Sequence, residues 1–337
     1  LPATILKDHC YERMFEGCSS LVTEADTLPA MTLRRSCYQS MFENCTSLVK
    51  APVLPASQLA PSCYNAMFRG CASLAQTQDT LPAVVVDTTA YFEMFRLCGA
   101  LRKAPYIAAI KADSNACAHM FLSCEGLNQV QDTLPTVQLE PDCFLSMYES
   151  CSQLQTAPVL IATRMANKCY YSMFKDCVAL VNTQDTLPAL SLAKESYADM
   201  YSGCKLLGTA PYIAATSLAE GSCLEMFNNC ESLRGVQDTL PAMNLAKACY
   251  SSMFLGCMSI TNAPVLPATQ LAEACYSGMY ILCQFSSVPH LPAQNLVSRC
   301  YTYMFAACPN LDTLSVAFSD WKENLDCTEG WFADVTT

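Results

Sequence analysis

The chain has 337 residues, of which 52% are hydrophobic and 15% charged, with a formal net charge of −11 and a pI near 4.7. That is too apolar for a disordered chain, and too acidic for a phosphate-backbone partner, which it would repel. Nothing in it reaches the run of about 18 apolar residues that a membrane-crossing helix needs, and no Lys/Arg cluster offers a site for anionic lipid.

The chain opens on Leu1-Pro2-Ala3, and this triplet or a variant returns at Leu28, Leu54, Leu81, Ile107, Leu134, Leu160, Leu187, Ile213, Leu240, Leu266 and Leu291. The intervals alternate strictly, each longer rung followed by one that is a residue shorter, until the step from Leu266 to Leu291, which is shorter still. Longer rungs close on a D-T-L-P joint with an aspartate at Asp26, Asp79, Asp132, Asp185 and Asp238. Shorter rungs close on Ala-Pro, as at Ala51-Pro52 and Ala104-Pro105. A longer echo lies on top: the sequence that begins at Ala104 returns from Ala210, four rungs on, so a four-rung block has been duplicated. A repeat of about 26–27 residues is the mark of a solenoid that grows along one axis, which overrides the length prior for two domains.

Inside a rung, Leu6, Cys10, Met14 and Cys18 are spaced by four, with Tyr11 and Phe15 beside them. This stripe predicts an amphipathic helix of two to three turns, with Pro near the rung's start and Gly17, Asn44 or Gly70 near the helix end. The stretch from Ser20-Leu21 to Leu28 predicts a short strand. The expected fold is therefore an α/β repeat, a right-handed leucine-rich-repeat solenoid of about twelve rungs over residues 1–308, each a short strand plus a short helix. At about 4.8 Å per strand, twelve rungs run roughly 55 Å. Residues 309–337, with Trp321, Trp331 and the odd Cys327, read as the start of a C-terminal cap. The first residue falls inside a repeat with no polar capping unit before it, so Leu1 is expected to be a cut end of a longer protein.

Chemistry has few candidates. The 23 cysteines include pairs such as Cys10/Cys18 and Cys63/Cys71, eight residues apart. On a helix that spacing spans about 12 Å, beyond the roughly 7 Å reach of a disulfide, and it is not the C-x2-C spacing of metal sites. Buried free thiols that pack as small hydrophobes are expected, with disulfides between adjacent rungs as the alternative that export would permit. The aspartate column, Asp26, Asp79, Asp132, Asp185 and Asp238, offers carboxylates about 10 Å apart on alternate rungs. It could meet calcium or sugar hydroxyls, but the separation is too wide for two carboxylates to share one cation. A local Asp-Thr turn that absorbs the extra residue is favoured. The Met-Phe/Met-Tyr ladder reads as core. His9, His119 and His290 fall in distant rungs, so no triad or zinc site is expected. There is no catalytic constellation and no expected cofactor. Between the fixed Leu and each joint the residues are small or polar and change from rung to rung. From these come the candidate ligand contacts Gln76, Thr77, Lys103, Gln129, Asn182 and Asn262.

The consensus L-P-A-x-x-L-A-x-x-C-Y-x-x-M-F-x-G-C-x-S-L, best kept over Leu54–Leu74, Leu240–Ile260 and Leu266–Cys283, resembles the BspA-like leucine-rich repeats of bacterial cell-surface proteins. The tail around Phe318-Ser319-Asp320-Trp321 and Gly330-Trp331-Phe332 resembles the closing segment of such arrays. The rungs here are longer than the family's common form. The resemblance implies an exported surface protein, often lipid-anchored in the outer membrane, used for adhesion or host interaction. With the lack of a catalytic constellation and the acidic charge, the expectation is a non-enzymatic binder of a host protein or glycan, with no nucleic-acid partner and membrane attachment only through an anchor outside this chain. The alternatives are an accessory lipoprotein that captures nutrients within an outer-membrane complex, and a structural spacer.

Overall fold

The computed structural model describes residues 3–22, 26–319 and 326–333. The chain divides into two compact units. The first comprises Leu1–Ala162 with Met173–Asn182, the second Thr163–Ser172 with Thr183–Thr337. Each is a stack of rungs joined by parallel backbone pairing.

The helix expected in each rung is absent; among the described residues the structure has no helix. The Cys-Tyr-x-x-Met-Phe-x-x-Cys stretch is instead a continuous run of turns. In the second rung the N–H groups of Cys37, Gln39, Met41, Glu43 and Cys45 each bond locally, to the carbonyl three residues back. Those of Ser36, Tyr38, Ser40, Phe42 and Asn44 each bond outward, to Pro61, Cys63, Asn65, Met67 and Arg69 of the next rung, at 2.7–3.1 Å. Every fourth residue has positive φ: Ser36 at 49°, Ser40 at 51°, Asn44 at 60°. The physical reason for the correction lies in the period. An α-helix of 3.6 residues per turn drifts by about 40° over each four-residue step, whereas Cys37, Met41 and Cys45 stay on one buried side at a strict spacing of four. A helix also uses its own N–H groups internally, and here half of them join rung to rung. The left-handed residues cost about 1–2 kcal/mol each for a non-glycine, and the outward bonds offset that cost.

The strands are two residues long and pair in parallel. In the first unit β1 (Thr80–Leu81) pairs with β3 (Tyr106–Ile107), and β5 (Thr133–Leu134) with β7 (Val159–Leu160). Another ladder there joins β2 (Val85–Val86), β4 (Lys111–Ala112) and β6 (Gln138–Leu139). In the second unit β8 (Thr186–Leu187) pairs with β9 (Tyr212–Ile213).

The alternation of longer and shorter rungs has a structural cause. Each D-T joint pairs with the Ala-Pro joint after it, as Thr27 does with Val53 and β1 with β3. Just upstream the phase is opposite: Lys50 pairs with Gln76, Lys103 with Gln129, Thr156 with Asn182. Val53 stands three positions after Lys50 and Thr80 four positions after Gln76, so the extra residue breaks each ladder at every second step. A glutamine side chain fills the break. The Gln131 amide oxygen accepts the Ile107 N–H at 2.7 Å while its nitrogen donates to the Thr133 carbonyl at 2.8 Å. Gln237 does the same for Ile213 and Thr239 at 2.7 and 2.6 Å, and Gln78 accepts from the Leu54 N–H and donates to the Leu54 and Thr80 carbonyls. The glutamine, rather than the Asp-Thr pair, absorbs the extra residue.

The core consists of aligned columns. In the first unit Phe15, Phe42, Phe68, Phe95, Phe121, Tyr148 and Phe174 stack with ring centroids 5.4–5.7 Å apart. Tyr201, Phe227, Phe254, Tyr280 and Phe305 do so in the second, at 5.6–5.9 Å. Such pairs contribute about 0.5–1.5 kcal/mol each beyond their burial. After Cys308 the ladder continues through Ser287–Thr313 and Leu291–Val316. Residues 326–333 lie on the twelfth rung as the rungs lie on each other, with Tyr301 N–H donating to Cys327 and Tyr303 N–H to Glu329. Trp331, 3% exposed, covers Tyr301 and Phe305 at 5.6 Å. Trp321 lies outside the described residues.

Replacing Gln131 by Leu strands the Ile107 N–H and the Thr133 carbonyl, and a loss of about 1–3 kcal/mol is expected. Glu at the same position keeps the acceptor and should lose less. Urea unfolding of the three proteins checks the order.

Candidate functional site

The ladder on which the candidate contacts fall is built from the residues between the buried Leu of each rung and its joint. In the first unit Leu48, Leu74, Leu101, Leu127, Leu154 and Leu180 are fully buried. Their packing fixes the backbone two residues later, where Lys50, Gln76, Lys103, Gln129, Thr156 and Asn182 pair across rungs and remain exposed. Four of the six predicted contacts, Gln76, Lys103, Gln129 and Asn182, thus fall in one column of polar side chains. Asn182 donates to the Thr156 hydroxyl at 3.1 Å. Thr77 lies beside the column, half-buried, its hydroxyl turned to the Gln78 carbonyl at 3.3 Å. Asn262 belongs to the second unit, exposed at a bend and outside these bridges.

The aspartates line the joints next to that column. Asp26, Asp79 and Asp132 in the first unit, and Asp185 and Asp238 in the second, are all exposed. Their backbone carbonyls accept the N–H of Val53, Tyr106, Val159, Tyr212 and Val265 at 2.8–2.9 Å, so the position is fixed by the ladder while the carboxylate faces outward. Asp79 meets Lys103 at 2.9 Å with both side chains mostly exposed, a pair that contributes roughly 0–1 kcal/mol. Next along each chain stand exposed side chains that alternate between Thr and an apolar residue: Thr80 then Tyr106 and Thr186 then Tyr212. The arrangement presents hydroxyls, amides, single charges and a tyrosine on a firm backbone. No group of three metal-ligating side chains occurs among the described residues.

Sequence reasoning missed a charge cluster on the turn face of the first unit. Arg69 donates to Glu43 through Nε at 3.0 Å and to Glu93 through Nη1 at 2.5 Å, and Arg96 also binds Glu93. Glu43 and Glu93 side chains are only 5% and 8% exposed. Burial opposes ionisation of Glu93, but the two guanidiniums outweigh it and hold its carboxyl below the usual range. Two acids and two bases close the set, which ties three successive rungs together. The signal was available in Glu43, Arg69 and Arg96, charged residues at the same turn position of three successive rungs.

The thiols face inward. Cys10 and Cys18 are exposed, every other cysteine is buried, and none is joined in a disulfide. In rungs two to seven and nine to twelve the second cysteine donates to the carbonyl of an aromatic one rung earlier, as Cys71 does to Phe42 at 3.0 Å, Cys98 to Phe68 at 3.1 Å and Cys257 to Phe227 at 3.0 Å. Burial pushes first and second cysteines alike up, Cys249 to about 11 and Cys71 to about 12.

No protein-family model matches the chain, and no curated protein matches it. Solved structures similar to it include two bacterial proteins. One is a leucine-rich repeat protein from Bacteroides ovatus, 14% identical, with 90% of this chain and 86% of that one covered at a TM-score of 0.43. The other is a leucine rich cell surface protein from Faecalibacterium prausnitzii, 17% identical, with 87% and 78% covered at a TM-score of 0.40. The fold stated above stands on the chain's own rung geometry, a repeat protein with parallel cross-rung pairing.

The buried thiols set a pH limit. Both states keep the proton below the ordinary thiol value of about 9; above it the unfolded chain releases protons that the folded chain holds until about 11 to 12. Stability is therefore present below pH 9 and is lost as pH rises from there. Thermal melts should show a midpoint that falls through this window, while alkylation of the folded protein at neutral pH labels Cys10 and Cys18 and spares the rest.

Proposed function

We propose that the chain is a non-enzymatic binding module of a bacterial surface protein of the BspA-like kind, and that it recognises a protein or glycan through the exposed ladder of its first unit. One observation carries the reading. Lys50, Gln76, Lys103, Gln129, Thr156 and Asn182 occupy equivalent backbone positions, stay exposed and differ in chemistry, while the Leu that sets each of them is kept and buried. A stack that holds its frame and varies the side chains on one column is constructed for recognition. Tyr106, 43% exposed three residues after Lys103, adds an aromatic surface of the kind that carries much of the affinity in interfaces. A spacer would leave such a column free to become uniform.

The placement at the cell surface, with a lipid anchor supplied from outside this chain, rests on the repeat motif. A net charge of −11 suits a partner that is neutral or basic at the contact.

An array of host extracellular proteins and glycans, probed with the whole chain, tests this. A ligand should bind, and Gln76→Ala with Gln129→Ala and Asn182→Ala should weaken it by about tenfold or more, since each lost contact removes roughly 0.5–1.5 kcal/mol. Binding that the triple variant leaves unchanged, or no ligand above background, contradicts the reading.

A further inference from the structure

A second surface of the first unit departs from the repeat in two columns at once. The ladder of β2, β4 and β6 is the longest strand pairing among the described residues. Immediately before each strand stands a large apolar residue: Val84, Ile110 and Val137, 48%, 47% and 45% exposed, with Val85 beside them at 47%. They are direct neighbours, because the Ile110 N–H donates to the Val84 carbonyl at 2.9 Å and the Val137 N–H to the Ile110 carbonyl at 3.0 Å. Immediately after each strand stands an acid: Asp87, Asp113 and Glu140. Lys111 lies among them and pairs with Asp113 at 2.7 Å, which leaves the rim with two net negative charges. A depression of about 290 Å³ opens at this place, with Leu59, Val84, Val85, Asp87 and Asp113 in its wall.

The other rungs show that the combination is not a property of the repeat. Where rungs four to six carry the acid, alanine stands at 60, 166, 193, 219, 246 and 272. Where they carry the exposed apolar residue, Ser57, Thr163, Thr216 and Thr269 are polar. Met31, Leu190 and Met243 are apolar at that position, but each stands between rungs with a polar residue there. The duplicated copies, four rungs on, have alanine in place of all three acids, at 193, 219 and 246. Neither packing nor inheritance of the block accounts for both changes on the same three rungs. Solvent-facing β-branched side chains, contiguous over three rungs, are a liability unless something covers them.

We propose that this patch docks an extended protein segment in which Lys or Arg alternates with aliphatic side chains. The aliphatic residues cover Val84, Val85, Ile110 and Val137, and the cations meet Asp87 and Glu140. The acid rim disfavours anionic lipid and nucleic acid. No large aromatic is among the exposed apolar residues of this ladder to stack on a sugar. The surface is separate in sequence and ladder from the polar column, so its test is independent of that reading.

The probe is a fluorescein-labelled peptide of alternating lysine and valine, measured by anisotropy with the whole chain. Peptides of alternating glutamate and valine and of alternating lysine and serine serve as controls, with vesicles of phosphatidylcholine and phosphatidylglycerol as a third. The lysine–valine peptide should bind, and binding should weaken as NaCl rises from about 0.05 to about 0.5 M. Val84→Thr with Ile110→Thr and Val137→Thr should reduce affinity by about tenfold. Asp87→Asn with Glu140→Gln should weaken it and flatten the salt dependence, while Asp185→Asn with Asp238→Asn, which removes the same charge elsewhere, should change it by less than about twofold. The proposal is overturned if the lysine–valine peptide does not bind, if the lysine–serine or glutamate–valine peptide binds as well, if the vesicles bind in its place, or if both patch variants bind like the parent. Urea unfolding of each variant keeps a folding defect from passing as lost contact.

Discussion

In the turn face of each rung, successive backbone N–H groups alternate between a local partner and a partner in the next rung, and the rest of the structure follows from that alternation. A chain that bonds only within itself would make a helix, and one that bonds only outward would make a strand. Sending every second N–H outward fixes the rungs at backbone hydrogen-bond distance, and at that spacing the rings of Phe42, Phe68 and Phe95 come within 5.5–5.6 Å of one another. The same spacing lets Cys71 and Cys98 reach the carbonyls of Phe42 and Phe68 in the preceding rung. Columns of identical side chains are the outcome. The cost is a left-handed residue at every fourth position, of which Ser36, Ser40 and Asn44 are one rung's set.

The alternation of rung length then becomes intelligible. An extra residue between two parallel ladders must break one of them, and an unpaired N–H and carbonyl in a packed stack costs about 1–3 kcal/mol. The glutamines at 78, 131 and 237 put a side-chain amide where a backbone amide is missing. The aspartate that follows each of them is then left facing solvent. Its regular recurrence follows from the backbone that it belongs to, whose carbonyl accepts a ladder hydrogen bond from the next rung.

Much of this was legible in the sequence, and the misreading is instructive. The rung boundaries, the parallel stacking and the buried Cys, Met and aromatic columns follow from the regular return of the Leu-Pro-Ala triplet and a fixed apolar pattern behind it. The local conformation was missed because a spacing of four suits a helix over a stretch as short as Cys37 to Cys45. The discriminating signal was the residue before each column member: Ser36, Ser40 and Asn44, or Ser62, Ala66 and Gly70, small or left-handed-tolerant side chains at three consecutive steps of four. Asn44 and Gly70 suggested a helix end, while Ser36 and Ser40 gave no reason for the same conformation further in. For the polar column, variability between a fixed Leu and a joint was enough to single out Gln76, Lys103, Gln129 and Asn182. The apolar patch of rungs four to six was equally visible as Val84, Ile110 and Val137, but only the ladder shows that they are neighbours and exposed.

Glycine substitution at left-handed positions tests the central claim most directly. Ala248 and Ala274 have φ of 52° and 54°. If they lie in the alternating turns described here, Ala248→Gly and Ala274→Gly relieve a strain of about 1–2 kcal/mol per residue, and urea unfolding should find each variant as stable as the parent or more so. A helix through the same residues predicts the opposite sign, a loss of about 1 kcal/mol for each glycine, and that result would contradict the account.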